Sequence, residues 1–186
     1  MKSGSPAVEV VFSAEAIAAR IDALADGICE AGLERLLVVP ILKGSFVFAA
    51  DLMRAMHRAG MAPEIDFLSL ASYGETDRSS GTVRIVRDIE SDVRGRNVLV
   101  VDDILESGRT LAFAKELIAA RGAARVHTCV LLDKPASRAV PVAADFTAFE
   151  CPDEFMVGYG MDLAHRYREL PYVGRLVRDR GLPRRT

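Results

Sequence analysis

Residues 98–111 read VLVVDDILESGRTL. The first four residues are apolar, as in a strand that is buried on both faces of a parallel sheet. Two adjacent carboxylates, Asp102 and Asp103, come next, and a short polar turn then leads into a helical pattern. A buried strand followed by a polar loop and a helix is the repeating unit of α/β proteins, in which the sheet is mainly parallel.

The rest of the chain continues this alternation of strands and helices. Apolar residues spaced three and four apart predict a helix that begins after Ser13, and similar patterns predict helices over about 46–58 and 110–121. Strands are predicted over 36–42, 65–71, 83–87, 97–101, 126–132, 146–150 and 155–157. This order predicts one α/β domain over residues 7–186, with a twisted, mainly parallel sheet flanked by helices, and a disordered start over residues 1–6.

Composition excludes several classes of protein. Of the 186 residues, 50% are hydrophobic and 27% are charged, which excludes a disordered or fibrous chain. The longest apolar run, residues 36–42, is far shorter than the ~20 residues that cross a bilayer, so no membrane partner is expected. The net charge of -2 provides no overall basic field for nucleic acid. Three cysteines that match no zinc or CxxC spacing indicate a reducing, cytoplasmic setting.

The residue types in the loop after Asp103 suit a sugar phosphate. Backbone N–H groups at the start of the following helix can hold a phosphate, Gly108 lets the backbone approach it, and the Ser107 and Thr110 hydroxyls add donors. Asp102 and Asp103 would repel a phosphate and are better suited to sugar hydroxyls or Mg²⁺. The alternative is an ordinary strand–turn–helix junction with solvated acids, but the complete set of residues favours a binding site.

Two lysines follow other predicted strands. Lys43, with Gly44 beside it, follows the strand over 36–42, and Lys134 follows the strand over 126–132. Ligands of such sheets bind at the carboxyl ends of the strands. We therefore expect both lysines to lie close to the sugar-phosphate loop.

These motifs, in this order, resemble the 5-phosphoribosyl 1-diphosphate (PRPP) signature of type I phosphoribosyltransferases, and in particular of their hypoxanthine-guanine branch. The similarity covers about residues 38–176. The resemblance implies the type I fold, and it implies that Asp102 and Asp103 contact the ribose hydroxyls, directly or through a metal. It places the 5′-phosphate against a run of five residues, Glu106, Ser107, Gly108, Arg109 and Thr110.

Glu106 departs from the family pattern. The family usually has aspartate at this position, which is assigned as the general base for the purine N7 proton. Glutamate keeps the carboxylate but adds a methylene. Because proton transfer depends on placement near 3 Å, Glu106 is predicted to be the catalytic base, either directly or through a water molecule.

The resemblance assigns other residues to the diphosphate. The matching positions are Lys43, Gly44, Arg168 and Arg138. The family also often has a cis peptide bond between the residues that match Leu42 and Lys43.

A polar segment that begins at Ser72 and Tyr73 and runs through residues 74–82 resembles the family's lid. Such a lid would exclude water from a reaction with oxocarbenium character. An exposed hairpin tip is the alternative.

The base is expected under a small hood formed largely by residues 150–176 and by N-terminal residues. Lys134 matches the lysine that donates to the purine 6-oxo oxygen, which favours oxo-purines over adenine. Phe155 would stack on the base, and the Met156 carbonyl would face its 2-position. The residues assigned to Mg²⁺ are Asp102, Asp103 and Asp162.

Two further features are interpreted as structural. Tyr159 is expected to pack at the edge of the core. The arginines of residues 175–185 are expected to form a solvated basic face.

The predicted function is Mg²⁺-dependent transfer of the 5-phosphoribosyl group from PRPP to hypoxanthine or guanine, in purine salvage. One alternative is a PRPP-sensing regulatory protein of the same fold, because a fold does not fix an activity. Another is a phosphoribosyltransferase for a different base, such as xanthine. The resemblance also implies a homo-oligomer, either a dimer or a tetramer.

Overall fold

The computed structural model of the protein describes residues 7–72 and 83–177. Its strands are β1 (Ala7–Phe12), β2 (Leu37–Leu42), β3 (Glu64–Ile65), β4 (Leu68–Ser72), β5 (Val83–Arg87), β6 (Asn97–Leu105), β7 (Arg125–Asp133), β8 (Phe146–Glu150), β9 (Met156–Val157) and β10 (Val173–Val177). Its helices are α1 (Ala14–Glu30), α2 (Phe46–Arg58) and α3 (Arg109–Ala120), and a single 3-10 turn covers Pro135–Ser137.

The larger sheet has the strand order β5-β4-β2-β6-β7-β8, with β3 paired to β2. Strand β6 runs parallel to β2 on one side and to β7 on the other, and β5 is antiparallel to β4. Because the parallel strands end at the same edge, the loops after β2, β6 and β7 are neighbours. This confirms the predicted twisted, mainly parallel sheet.

Helices cover both faces of this sheet. Leu99 and Val101 of β6 pack with the buried faces of α1 and α2, whereas Val98 and Val100 pack with α3. This alternation follows from the strand period of two. None of the helices in the described part of the chain is both long and apolar enough to cross a membrane.

Three strands form a second, antiparallel sheet in the order β1-β10-β9. It joins the first described strand of the chain to the last. The local sequence pattern predicts neither β1 nor β10. Both are short, β1 pairs only with β10 at the other end of the described residues, and β10 otherwise pairs only with the two residues of β9.

Arg175 of β10 is 40% exposed, and it is paired with two acids on the predicted solvated face. Its guanidinium donates to both carboxylate oxygens of Glu9, at 3.1 and 3.0 Å, and to both of Glu154, at 2.9 Å each. The other arginines of the predicted face lie outside the described residues.

Strand β8 is the last strand on one side of the larger sheet. Arg20 of α1 lies against it: the Arg20 guanidinium donates to the carbonyl oxygens of Ala148, at 2.7 Å, and of Thr147, at 3.0 Å. A helix side chain thus binds backbone acceptors of an edge strand.

Candidate active site

The carboxyl ends of β2 and β6 enclose a cavity of about 290 Å³. Many of the predicted site residues line it: Lys43, Gly44, Asp102, Asp103, Glu106, Ser107, Gly108 and Thr110. Arg109 begins α3 and lies outside this lining. The lysine-containing loop and the sugar-phosphate loop are therefore brought together, as the strand order predicted.

Asp102 and Asp103 lie in the wall of this cavity. The Asp103 backbone N–H donates to Asp102 Oδ1 at 3.1 Å. Burial raises the pKa of both carboxyls, and the neighbouring charge of Asp103 adds to the rise for Asp102, whereas the positive charge of Arg168 opposes the rise for Asp103. A bound cation or a pair of hydroxyl donors would favour the ionised form of these acids.

Gly44 provides the space for the Asp103 carboxylate. A Cβ atom at Gly44 would collide with Asp103, and one at Gly160 would collide with the Gly44 carbonyl oxygen. The Leu42–Lys43 peptide bond just before Gly44 is cis, as the family resemblance implied.

The turn between β6 and α3 depends on Gly108, the residue that caps α3. Its φ of +82° is in the left-handed region that glycine adopts without strain. A Cβ atom here would lie 2.6 Å from Val142 Cγ1 and 3.0 Å from the Val140 carbonyl oxygen. The first N–H groups of α3 follow this turn and have no helical acceptors, so they can bind an anion at the cavity.

The outer side of the same turn is held by the segment after β7. The Ala139 and Val140 N–H groups both donate to the Ser107 carbonyl at 3.0 Å. The Arg138 guanidinium donates to the carbonyls of Leu105 (3.0 Å) and Glu106 (2.7 Å). With these carbonyls occupied from outside, the orientation of the loop peptides is fixed.

Arg138 also forms an ion pair with Asp133. Its guanidinium is thus bound to the protein itself, and it does not line the cavity. This position was expected to contact the diphosphate, and the structure instead places it on the backbone of the sugar-phosphate loop. No local sequence pattern predicted that contact, because it joins the end of β6 to a segment about thirty residues later.

Glu106 and Lys134 are in direct contact. Lys134 Nζ lies 3.2 Å from Glu106 Oε1, and its backbone N–H donates to the Leu105 carbonyl at 2.9 Å. The Lys134 side chain is only 5% exposed, whereas that of Glu106 is 53% exposed. The predicted base therefore lines the cavity, and the predicted recognition lysine contacts it there without lining the cavity itself.

Arg168 and Asp162 form a second ion pair. Arg168 Nη2 lies 2.6 Å from Asp162 Oδ1, and Arg168 Nη1 donates to the Gly160 carbonyl at 2.5 Å. The other Asp162 oxygen accepts from the His165 N–H at 2.7 Å. Because Gly160 packs against Gly44, this pair is tied to the loop after β2.

The predicted base-stacking residue, Phe155, is 54% exposed, although it is a large aromatic side chain. Met156, the next residue, is buried in β9. Tyr159 is buried as predicted, and its hydroxyl donates to Asp51 Oδ2 at 2.6 Å.

Two lid residues were predicted. Ser72 is the last residue of β4. Tyr73 and the rest of the predicted lid lie outside the described residues.

The donors at the cavity fit a magnesium ion that shares its ligands with a substrate. No group of three or more His, Cys, Asp or Glu side chains in residues 7–72 and 83–177 is close enough to hold a metal by itself. Mg²⁺ commonly takes one or two carboxylates together with substrate oxygens and water. Asp102 is buried and Asp103 is partly buried, and among the described residues neither accepts a hydrogen bond from a cationic side chain, which suits that role.

Comparison with known proteins agrees with this geometry. The family model of the phosphoribosyl transferase domain matches residues 8–163. The chain is 44% identical over 174 residues to the hypoxanthine phosphoribosyltransferase of Salmonella typhimurium, which covers 91% of this chain and 96% of that protein. The corresponding protein of Escherichia coli is 41% identical over 173 residues, with the same coverage.

The chain is also similar to solved structures of hypoxanthine phosphoribosyltransferases. The hypoxanthine phosphoribosyltransferase of Trypanosoma cruzi, in complex with the product IMP, is 34% identical, with a TM-score of 0.85 and coverage of 95% of this chain and 97% of that chain. The enzyme from Staphylococcus aureus is 36% identical, also with a TM-score of 0.85, and 91% of each chain is covered. On the match to the family model and on these relatives, the chain belongs to the phosphoribosyltransferase family.

Proposed function

We propose that this protein transfers the 5-phosphoribosyl group of PRPP to hypoxanthine, and to guanine as a second base, in purine salvage. The observation that carries this proposal is the single cavity where the Asp102–Asp103 pair, the Gly108 turn and the Lys43–Gly44 loop meet. The identity of 44% to a hypoxanthine phosphoribosyltransferase over most of the chain supports the choice of base.

PRPP would lie along this cavity. Its 5′-phosphate binds the N–H groups of the Gly108 turn and the hydroxyls of Ser107 and Thr110. The ribose hydroxyls donate to Asp102 and Asp103. The diphosphate meets Lys43 and Gly44 at the other end. Arg168 lies outside the cavity lining but close enough to act on the charge of Asp103, and these positive charges and backbone donors offset the negative charge of the diphosphate.

The base would be recognised at the Glu106–Lys134 contact. Lys134 has donors only, so it donates to the 6-oxo oxygen of hypoxanthine or guanine and disfavours the amino group of adenine, which is itself a donor. Phe155 presents an exposed ring on which a purine can stack. The Met156 carbonyl faces the 2-position, where guanine carries an amino donor.

In the reaction, purine N9 attacks ribose C1 as the bond from C1 to the diphosphate oxygen breaks. The electron pair of that bond leaves with the diphosphate. Glu106 accepts the N7 proton, directly or through water, so that the nucleotide forms without a positive charge on the base. Lys43 and Arg168 bind the departing anion.

Three carboxylates, those of Asp102, Asp103 and Asp162, would hold Mg²⁺. When bound, the ion supplies charge neutralisation on the leaving diphosphate. Asp162 already has Arg168 as a partner, so its contact with the ion is proposed to be through water.

A panel of bases tests the proposed function. Purified protein with PRPP and Mg²⁺ is expected to convert hypoxanthine and guanine to nucleotides, to use xanthine poorly and to leave adenine unchanged, as followed by ultraviolet absorbance. Chelation of Mg²⁺ with EDTA is expected to abolish turnover, and excess Mg²⁺ to restore it. PRPP binding without turnover of any base would instead identify a PRPP sensor.

The three cysteines support a reducing, cytoplasmic location. Cys29, Cys129 and Cys151 are all unpaired. Burial raises the pKa of Cys129 strongly and that of Cys151 to about 11, so both thiols remain protonated and unreactive at neutral pH.

We also infer that the protein associates with copies of itself. A second groove of about 630 Å³ lies between α1, α2 and residues 159–171, with charges of both signs along it. Phe46 at this groove is 46% exposed. Light scattering is expected to give a mass of two or four chains for the wild type and a smaller mass for Phe46→Glu, whereas a monomeric wild type at micromolar concentration would contradict the inference.

A further inference from the structure

The charged cluster of Glu9, Glu154 and Arg175 lies across the second sheet. Arg175 stands on the middle strand, opposite Glu9 of β1 and opposite Met156 of β9. Its Nε and Nη2 form a two-point contact with the Glu9 carboxylate, and its Nη1 lies between the two oxygens of Glu154. One guanidinium thus connects the first strand, the last strand and the segment before β9.

That segment carries the proposed stacking residue. Phe155 lies directly between Glu154, which is held by Arg175, and Met156, which is hydrogen-bonded into the sheet. Earlier in the same segment, Asp153 accepts from the Ser137 hydroxyl at 2.5 Å. The Phe155 side chain itself is largely exposed, so its backbone attachments decide where the ring stands.

A stacking ring contributes binding energy only where it stands over the base. Ordering a free segment on binding would cost entropy that a fixed segment has already lost. On the N-terminal side of Phe155, the nearest contact that joins this segment to another strand is the Glu154–Arg175 ion pair. Loss of that contact would leave the ring present but its position less defined.

We propose that Arg175, through Glu154, is a positioning residue for purine binding, with Glu9 holding the guanidinium in place. This rests on the proposed function, in which Phe155 stacks on the purine. Arg175 does not touch the PRPP cavity. Its influence is therefore confined to the base.

Steady-state kinetics of Arg175→Met test this proposal. The KM for hypoxanthine is expected to rise about fivefold, and the KM for PRPP to stay within about twofold, because half-exposed ion pairs have modest effects. In a Phe155→Ala background the same substitution is expected to raise the KM for hypoxanthine no further, since the ring through which Arg175 acts is gone. Arg175→Lys is expected to be intermediate, because an ammonium cannot reproduce the forked contact.

Arg94→Met is the matched control. Arg94 Nε and Nη2 form a similar contact with both carboxylate oxygens of Asp92, on an exposed surface away from the cavity, and its loss is expected to change neither KM. Thermal unfolding and circular dichroism identify any variant that has lost its fold, and Glu154→Gln then serves in place of Arg175→Met.

An unchanged KM for hypoxanthine in a folded Arg175→Met protein would overturn the proposal. So would an equal increase in the Phe155→Ala background, since Arg175 would then act by another route. A wild type that turns over no base would contradict the proposed function itself. An active wild type with an unchanged KM in Arg175→Met would contradict only the positioning role, so the two outcomes can be told apart.

Discussion

We expect Glu106→Gln to lower kcat for hypoxanthine by about 10²- to 10⁴-fold, the usual contribution of a positioned general base. Glutamine occupies the same space as glutamate but cannot accept the N7 proton at neutral pH. PRPP binding is expected to change little, because the phosphate contacts proposed for the neighbouring loop are to backbone groups and hydroxyls. Single-turnover measurements with bound PRPP isolate the chemical step from product release.

Glu106→Asp is the control for this substitution. It restores the carboxylate that the family usually has, one methylene shorter, and its kcat is expected within about tenfold of the wild type. Both variants weaken the contact of Glu106 with Lys134, so a defect shared equally by both would be assigned to that ion pair. Near-normal turnover by Glu106→Gln would refute the base role.

The second large effect is expected from Gly108→Ala. The added Cβ would meet Val142 and the Val140 carbonyl, and the φ of +82° is strained for alanine. The turn must shift, and the phosphate donors shift with it. Because a displacement of about 1 Å at a reacting group can cost about 10²-fold, kcat/KM for PRPP is expected to fall by at least about that factor.

Gly122→Ala is the control for Gly108→Ala, because it introduces backbone strain without displacing the phosphate-binding turn. Gly122 also has a positive φ, of +88°, but a Cβ there meets only the flexible side chain of Arg94. This variant is expected to lose a few degrees of Tm and to keep the wild-type kcat/KM. Equal kinetic losses in both variants would mean that global strain, and not the position of the turn, lowers activity.

The sequence predicted most of the elements of the larger sheet because their signals are local. Helix α2 and strands β5 and β8 have the predicted bounds, since apolar periodicity and flanking polar residues define both ends. Strand β6 runs four residues beyond its predicted end at Val101, to Leu105. Asp102 and Asp103 suggest a loop by composition, but pairing with β7 continues through them.

The predicted strand over 65–71 is in fact two strands, β3 and β4. Asp66 lies between them, and its carboxylate accepts the N–H groups of Phe67, Glu90 and Ser91. Contacts to residues more than twenty positions away interrupt the strand, and the local pattern gives no sign of them.

In the candidate site, too, the features that lie within one loop are predicted, whereas contacts between distant parts of the chain are not. Phosphate donors, acids and the Gly108 turn lie within one loop and are predicted from that loop alone. The Arg138 contacts with Leu105 and Glu106, and the Arg175 contacts with Glu9 and Glu154, join distant parts of the chain. Long-range hydrogen bonds and ion pairs of this kind follow no spacing rule in the sequence, so the local pattern does not predict them.

The contact of Arg20 with β8 bears on how molecules meet at high concentration. An exposed β-edge can recruit a strand from another molecule and so begin an aggregate. At β8, a foreign strand would compete with the Arg20 guanidinium for whichever of the Thr147 and Ala148 carbonyls faces the open edge. One side chain on a helix thus occupies backbone acceptors that strand addition at this edge would need.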